Sequence, residues 1–462
     1  MINQTYNTKE DVVLQARTAL NKTLRGIIPA ADISAIEGLL VKYGKNRKGY
    51  LGDLVEQYVF GLKNNGRPEA DFYIAGVELK TTPLRKHTAK QYVSKERLVF
   101  SMIDYDKIID EEWETSSFLK KNSLLLLMFY LFIEQQNPLD YEFKFVHLLE
   151  LLKDISAQDA EQIKKDWEFI VAKIRRGEAH LLSEGDTYYL GACTKAKNSR
   201  VLREQPRSRI QAKPRAFSLK QTYLSYLVQR NLLGKEIDTE SIFKDRKVVK
   251  TVEEVVTDKF NNFLGKTDKE IMSVLGLEPI SKSKNYKRLL ANRILTGTGS
   301  NKVEELEKAN ITLKVITLEH TGTLRESLSF PAFDYKDLVT QVWYDDEEEI
   351  MSDFHAQLEM NRFLFVVFQK IKDSDEIILR KIRFWNFPIQ DLAEAERVFI
   401  KTVDCINAGR YENLPKMSES DVAHVRPHGQ DGEDTQETPQ HTREIKRCFW
   451  LNAKYIQKAL EI

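Results

Sequence analysis

The sequence predicts an α/β protein with a mixed sheet, built from two tandem copies of one module. Strand-like and helical segments follow one another in the order helices, sheet, helix, strand, helix, and a comparable order begins again after about Leu233. The chain has 462 residues, roughly three times the ~150-residue length prior for one domain. We therefore predict one domain over residues 1–232 and a second over residues 233–462.

The first half begins with a helix-rich stretch that runs to about Leu62 and ends at Gly61 and residues 66–68. Segments rich in apolar and β-branched residues predict strands over 71–84, 97–105, 123–133 and 186–193. A helix is predicted over 163–177, where a glycine closes it. Together these segments form a mixed sheet with helices around it.

An internal duplication is supported by matching residues near the end of each half. The pairs share one offset of 232 positions and are Phe217 with Phe449, Leu219 with Leu451, and Tyr223 with Tyr455. The strand-like segment 362–368 also stands where 124–130 stands in the first half. The second half is therefore predicted to repeat the fold of the first.

Composition places the chain among globular proteins. Apolar residues make up 42% and charged residues 30%, which excludes an intrinsically disordered chain. The net charge of +1 gives no sign of a nucleic acid or an anionic membrane as partner, so any electrostatic signal must be local. The longest apolar run, residues 124–133, is far shorter than the ~20 residues that cross a bilayer. We expect no membrane partner.

Three widely spaced cysteines, with no CxxC pair, argue against a zinc site and a disulfide framework. The first residues lack the apolar region of an export signal. We therefore expect a cytoplasmic protein.

The strongest chemical candidate is the set Asp71, Glu78 and Lys80. Side chains two apart on a strand share a face, so Glu78 and Lys80 project together while Val77 and Leu79 face the core. Asp71 can fold over beside them. Two carboxylates and a backbone carbonyl are the hard oxygen ligands that Mg²⁺ prefers, and a lysine nearby can position an attacking water. This combination indicates a nuclease.

The spacing alone is weak support, because acidic-x6-acidic-x-basic is expected about 1.5 times by chance in this composition. An ordinary surface pair is the alternative. Against it, Glu78 lies inside an apolar strand, where a carboxylate is costly unless a cation or strong donors meet it. Glu56, beside the apolar stripe of the preceding helix, could face the same site or be a solvated helix residue.

A second local feature is a basic segment over residues 195–220, which holds a single acid, Glu204. Its nine basic residues are Lys195, Lys197, Arg200, Arg203, Arg207, Arg209, Lys213, Arg215 and Lys220. Such a stretch is a plausible contact for the DNA backbone, with Lys195 offered to guanine in a groove. A solvated charge run is the alternative. In the second half His424, Arg426 and His428 occupy the equivalent place.

The sequence resembles the GATC-cutting restriction endonucleases of the Sau type, relatives of the mismatch-repair nicking endonuclease MutH. The resemblance spans nearly the whole chain. It rests on the blocks GDLVEQYVFG, AGVELKTTPL, SKERLVF, ETSSFLKKN, KKDWEFIVAKIRRGEAHLLSEG and RAFSLK in the first half and HVRPH in the second.

The resemblance implies two tandem restriction-endonuclease-like domains and Mg²⁺-dependent cleavage of DNA at 5′-GATC-3′. Asp71, Glu78 and Lys80 match the catalytic carboxylates and lysine, with the Leu79 carbonyl as a metal ligand, and Glu56 matches the helix carboxylate. Lys195 matches a base-reading lysine. Cys193-Thr194 replace the Arg-Pro of the nicking enzyme, and Ser218 replaces its tyrosine linked to sensing adenine methylation. These departures favour double-strand cleavage over nicking.

In the second half Thr312 aligns with Glu78 and Lys314 with Lys80, so one carboxylate is missing. Arg426-Pro427 matches the Arg-Pro of the nicking enzyme. The Sau-type resemblance implies that this half binds another GATC and activates the first. The DNA-contact candidates are Lys195, Lys197, Arg200, Arg215, Ser218, Lys220, His424, Arg426 and His428.

These observations predict a two-domain type II restriction endonuclease that acts on double-stranded DNA with Mg²⁺. The alternatives left open are a non-enzymatic GATC-binding regulatory protein and a MutH-like nicking endonuclease. We expect a monomer in solution, with a dimer or a two-site complex on DNA left open.

Overall fold

The structure is a computed structural model that describes residues 6–43, 49–62, 69–88, 91–196, 200–235, 237–243, 249–277, 285–298, 302–345, 350–429 and 431–462. The chain divides into two compact units. The first unit comprises Met1–Leu182, Thr187–Asp238 and Asp245–Thr251, and the second comprises Ser183–Asp186, Thr239–Lys244 and Val252–Ile462. The predicted boundary at 232/233 falls inside the middle segment of the first unit.

In its described residues, the first unit combines helices with strands of three sheets. Its helices are α1 (Lys9–Arg17), α2 (Leu24–Ile27), α3 (Ala30–Tyr43), α4 (Tyr50–Tyr58), α5 (Tyr105–Ile108), α6 (Ser117–Asn122), α7 (Ala157–Arg175) and α8 (Gln221–Leu227). Its strands are β1 (Glu78–Thr88), β2 (Gln91–Ser94), β3 (Leu98–Met102), β4 (Leu124–Leu131), β5 (Phe143–Glu150), β6 (Leu190–Thr194), β7 (Arg203–Gln205), β8 (Ser208–Ala212) and β9 (Arg215–Leu219).

The main sheet of the first unit has the order β2-β1-β4-β5, in which β1 and β4 are parallel and the other pairs antiparallel. The long apolar run forms β4, and its residues 125–129 are buried, as predicted. Side chains of α1, α3 and α4 share a core with those of β1 and β4. A second sheet has the order β3-β9-β6, and the smallest is the pair β7 and β8.

The second unit contains the remaining elements. Its helices are α9 (Val252–Asn261), α10 (Asp268–Val274), α11 (Tyr286–Thr296), α12 (Glu304–Lys308), α13 (Tyr335–Leu338), α14 (Asp353–Glu359), α15 (Leu392–Asn407) and α16 (Ala453–Leu460). Its strands are β10 (Ile311–Leu318), β11 (Leu328–Ser329), β12 (Tyr344–Asp345), β13 (Ile350–Met351), β14 (Arg362–Lys370), β15 (Ile377–Asn386), β16 (Ala423–Pro427), β17 (Thr435–Glu437), β18 (Arg443–Ile445) and β19 (Arg447–Leu451).

The two units repeat the same strand connections. In the second unit β10 pairs parallel to β14, which pairs antiparallel to β15, as β1, β4 and β5 do in the first. The order β11-β19-β16 repeats β3-β9-β6. The prediction of two tandem mixed α/β domains is confirmed. Among the described residues, no helix has both the length and the apolar character needed to cross a membrane.

Two strand predictions were wrong in where the strand begins. The strand predicted over 71–84 begins at Glu78, because residues 72–77 form a turn closed by paired backbone hydrogen bonds between Phe72 and Val77. Gly76, with φ +67°, provides the left-handed conformation in that turn. The strand predicted over 186–193 begins at Leu190. There the carboxylate of buried Asp166 accepts hydrogen bonds from three successive backbone N–H groups, 188–190.

Candidate active site

The turn before β1 brings Asp71 beside the first residues of that strand. The backbone N–H of Leu79 donates to Asp71 Oδ2 over 2.9 Å, and the backbone N–H of Asp71 donates to Glu78 Oε2 over 3.3 Å. Phe72 is buried and stacks edge-to-face on Phe60, which anchors the turn in the core. Two carboxyl groups seven residues apart therefore meet at the start of β1.

Glu78 is buried, with 2% exposure, and its carboxylate is met by cations. Lys80 Nζ lies 2.8 Å from Glu78 Oε1, and Lys121 Nζ lies 3.7 Å from the same oxygen. The neighbouring Val77 and Leu79 belong to the hydrophobic core, as strand alternation predicts. The two ammonium groups offset the cost of burying the Glu78 charge.

Glu56 approaches this cluster from α4. One turn earlier on the same face is Gly52, where an added Cβ would lie 3.4 Å from Thr81 Oγ1 on β1. The missing side chain lets α4 pack closely on β1. Burial, together with the charges of Asp71, Asp53 and Glu78, raises the pKa of Glu56 to about 7. Glu56 can therefore exchange a proton near neutral pH.

Asp71 is also perturbed. Burial and the neighbouring negative charge of Glu78 raise its pKa to about 6, while the hydrogen bond from Leu79 and the positive charges of Lys80 and Lys121 act in the opposite direction. The pKa of Asp71 is raised by burial and by a second carboxylate, so a bound cation would stabilise its ionised form.

The donor set fits a hard divalent cation that keeps part of its water shell. No group of three or more His, Cys, Asp or Glu in the described residues could hold a metal ion. Asp71 and Glu78 are two carboxylates, and Mg²⁺ is commonly held by one or two carboxylates with water and substrate oxygens completing its shell. The chemistry of the site thus suits Mg²⁺ better than zinc, which favours sulfur and imidazole ligands.

Lys121 was missed by the sequence reasoning. It lies in the last turn of α6, more than forty residues from Glu78, and no local pattern links the two. The block ETSSFLKKN contained it, but two lysines stand side by side there. Lys120 is exposed and Lys121 is half-buried against Glu78, so only packing distinguishes them.

The predicted reading loop follows β6 directly. Lys195 is half-buried, and its backbone N–H donates to the carbonyl of Pro214. The hairpin of β7 and β8 follows, and its neighbourhood carries the exposed basic side chains of Arg200, Arg203, Arg207, Arg209 and Lys213. Lys197 lies outside the described residues. An exposed basic segment of this kind suits contacts with phosphates.

Four predicted DNA contacts are corrected, because the structure buries them. Arg215 is 1% exposed, and its Nη1 donates to the carbonyl of Ala192. Lys220 is 6% exposed and donates to the carbonyl of Thr187, while Ser218 is 1% exposed on β9. His424 is 2% exposed, with Nδ1 2.5 Å from Asn452 Oδ1. Arg215 thus bridges β9 and β6, and all four side chains are buried inside the unit to which they belong.

In the second unit, Arg426 is half-buried and Pro427 and His428 are exposed at the end of β16. Strand register places Arg426 opposite Cys448, as Cys193 is opposite Ala216 in the first unit. His428 therefore takes the position of Lys195. The two remaining candidates, Arg426 and His428, lie where a reading loop is expected.

The second unit has uncharged residues at two described positions where the first unit has carboxylates. Thr312 pairs with Phe363 as Glu78 pairs with Leu125, so it takes the place of Glu78. Asn292 takes the place of Glu56, since each stands five residues before a left-handed glycine, Gly297 or Gly61, that follows its helix.

The remaining polar groups there have structural partners. Glu305 stands seven residues before Thr312, as Asp71 does before Glu78, but it accepts hydrogen bonds from Ser241 Oγ and the Ile242 backbone. Lys314, in the place of Lys80, donates to the carbonyl of Ser329. Among the described residues, the second unit therefore does not repeat the cluster of carboxylates and lysine at this position.

Comparisons relate this chain to two groups of known proteins. The family described as DNA mismatch repair enzyme MutH matches residues 60–166, which include Asp71, Glu78, Lys80 and Lys121. The MutH proteins of Shigella flexneri serotype 5b (strain 8401) and Escherichia coli O6:K15:H31 are each 28% identical over 233 residues, covering 49% of this chain and 94% of each relative. One such protein thus corresponds in length to half of this chain.

The type II restriction enzyme Sau3AI of Staphylococcus aureus is 32% identical over 503 aligned positions, which cover 99% of both chains. This match, together with the MutH family match over residues 60–166, defines the class as a DNA endonuclease. The chain belongs to the family of type II restriction enzymes typified by Sau3AI. It is a site-specific deoxyribonuclease, and DNA is its substrate. The non-enzymatic alternative is therefore excluded.

Proposed function

We propose that this enzyme makes Mg²⁺-dependent double-strand cuts at 5′-GATC-3′ and that its second unit binds another GATC and activates the first. The observation that carries the proposal is the convergence of Asp71, Glu78, Lys80 and Glu56 at the start of β1. The GATC sequence comes from the resemblance to the Sau-type enzymes.

In this proposal Asp71, Glu78 and the backbone carbonyl of Leu79 hold Mg²⁺. When bound, the ion supplies charge neutralisation at the phosphate and makes water more acidic. Lys80, fixed by its 2.8 Å contact to Glu78, positions the water that attacks phosphorus. Glu56 is the accessory acid, since its pKa of about 7 lets it hold or release a proton near neutral pH.

The DNA backbone is proposed to run along the basic segment that follows β6. Lys195 reads a base, and Arg200 with the exposed side chains of Arg203, Arg207 and Arg209 contacts phosphates. Each phosphate contact releases counterions, so binding should weaken as salt increases. The position of Ser218, where the nicking relative carries a tyrosine, supports cleavage that does not depend on hemimethylated DNA.

A single proposed catalytic cluster among the residues that the structure describes has a consequence for double-strand cleavage. A single centre hydrolyses one phosphodiester at a time, and the second unit has Thr312 and Asn292 where carboxylates would be needed. Cutting both strands then requires a second chain on the DNA or a second encounter by the same chain. This supports a dimer or a two-site complex on DNA.

Plasmid digestion tests the proposal. Supercoiled plasmids with no, one or two GATC sites are incubated with the enzyme in Mg²⁺ or EDTA. We expect linear product only with Mg²⁺ and a site, faster cleavage of the two-site plasmid, and end sequences that map to GATC. Open-circular product as the end point would favour a nicking enzyme, equal rates on one and two sites would exclude activation, and cleavage in EDTA would exclude the metal.

A further inference from the structure

The β16–β19 pair of the second unit carries large side chains where the first unit carries small ones. Strand register pairs His424 with Trp450, and the equivalent pair in the first unit is Gly191 with Ser218. Arg426 likewise takes the place of Cys193. The first unit buries its three small residues, whereas Arg426 and Trp450 are both half-buried. The two units therefore present different surfaces at one position of a shared fold.

Arg426 is held against the face of Trp450. The guanidinium carbon lies 3.8 Å from the ring centroid, and the indole N–H donates to the backbone carbonyl of Arg426 over 3.4 Å. His428 meets the same ring edge-on at 5.4 Å, and its backbone N–H donates to the carbonyl of Lys446. Both the side chain and the backbone of Arg426 are thus fixed by one residue.

The chemistry of this cluster suits a nucleobase edge. A planar guanidinium offers parallel N–H donors that match the O6 and N7 acceptors of guanine, and stacking on an indole fixes the plane of that fork in advance. A guanidinium that is already ordered loses less rotamer entropy when it binds. Exposed Pro427 and His428 beside it leave the end of β16 accessible.

We propose that Trp450 is a positioning residue that holds Arg426 for hydrogen bonding to guanine, so that the second unit reads DNA through an arginine on an indole. This proposal rests on the proposed DNA binding by the second unit. It also makes the two units read DNA by different side chains, with a lysine loop in the first and an ordered arginine in the second.

Trp450 offers its own spectroscopic readout. The chain has five tryptophans, of which Trp113, Trp167, Trp343 and Trp385 are buried and Trp450 is half-buried. DNA bound close to Arg426 and His428 should therefore change the fluorescence emission of Trp450 more than that of the other four tryptophans. A Trp450→Phe variant identifies which part of the signal belongs to it.

The test uses the full chain with Glu78→Ala, so that DNA stays intact, titrated with a short GATC duplex and with a duplex carrying one substituted base pair. We expect the GATC duplex to change tryptophan emission and the change to disappear with Trp450→Phe. Trp450→Ser and Arg426→Ala should each weaken the second binding event about tenfold and reduce discrimination between the duplexes. Trp450→Phe should retain both the affinity and the discrimination between the duplexes. His441→Ala, which changes an exposed side chain, is the control.

The outcomes separate this proposal from the function on which it rests. If Arg426→Ala loses binding while folded Trp450→Ser keeps the parent affinity and discrimination, the positioning role is wrong and DNA binding by the second unit stands. If Arg426→Ala also binds as the parent does, recognition by the second unit itself is wrong. Arg426→Lys keeps the charge without the planar fork, so retained discrimination in that variant would also overturn the proposal.

Discussion

Lys80 Nζ lies 2.8 Å from Glu78 Oε1, two residues apart on the same face of β1, and Glu78 is almost fully buried. Lys80 has two roles in this pair. It neutralises a buried carboxylate, and it is available to orient a water molecule. Both roles depend on the charge of Lys80 and on its position at the start of the strand.

Lys80→Met should therefore abolish cleavage and leave DNA binding in place. We expect a loss of at least about 100-fold in cleavage rate, the lower end of what a positioned acid or base contributes. Lys86→Met, at the exposed far end of the same strand, is the matched control and should cut normally. A Lys80→Met enzyme with the control's rate would remove Lys80 from the mechanism.

Lys121 should also matter, although less than Lys80. Its ammonium lies 3.7 Å from Glu78 Oε1, and its loss leaves Lys80 as partner. We expect Lys121→Ala to reduce the cleavage rate about tenfold, the factor that corresponds to ~1.4 kcal/mol of lost stabilisation. The neighbouring Lys120→Ala removes an exposed lysine from the same helix, and single-turnover rates of the two variants give the comparison. Equal rates for both variants would assign Lys121 no part in the site.

The raised pKa of Glu56 predicts how stability depends on pH. Its folded-state pKa of about 7 exceeds the ordinary value of 4.5, so the folded state binds the proton more tightly than the unfolded state. The contribution of Glu56 to the free energy of unfolding is largest below about pH 4.5 and decreases as pH rises through 7. Glu56→Gln should therefore melt at a higher temperature than the wild type at pH 8 in EDTA and at a similar temperature at pH 4.5.

Thermal unfolding of both proteins at the two pH values measures this difference. Asp53→Asn provides a comparison, because Asp53 lies half-buried in the first turn of α4 and adds negative charge near Glu56. The same difference in melting temperature at pH 4.5 and pH 8 would show that the pKa of Glu56 is not raised.

Restoring one carboxylate to the second unit should not restore catalysis. Thr312→Glu in a Glu78→Ala chain should remain inactive, because Lys314 Nζ donates to the carbonyl of Ser329 and Glu305 is held by Ser241 and Ile242. Plasmid linearisation measures the outcome, and Glu78→Ala alone is the baseline. Cleavage by the double variant above that baseline would mean that the second unit retains a usable site.

Much of this arrangement followed from local patterns. Alternation on β1 placed Glu78 and Lys80 on one face, and the apolar run around Leu127 predicted the buried partner strand. The duplication was visible in the offset between Phe217 and Phe449, and strand register later placed Thr312 opposite Phe363. These predictions rely on periodicity and on residue type, which the sequence carries directly.

Other features depended on tertiary packing. Lys121 reaches Glu78 from a distant helix. Arg215 and Lys220 are basic residues in a charge-rich segment, but both are buried and donate hydrogen bonds to backbone carbonyls. Composition cannot distinguish a basic side chain that donates a hydrogen bond to a backbone carbonyl from one that contacts a DNA phosphate. The start of β6 likewise depends on Asp166, more than twenty residues away along the chain.

In the proposed mechanism, the cluster around Glu78 cuts DNA that the rest of the protein binds. The most direct measurement compares wild type and Glu78→Ala on one GATC fragment, with cleavage followed in Mg²⁺ and binding followed in EDTA. We predict that Glu78→Ala binds within about twofold of the wild type and cuts at least about 100-fold more slowly. Cleavage by the folded variant at the wild-type rate would show that the cluster around Glu78 does not cut the DNA.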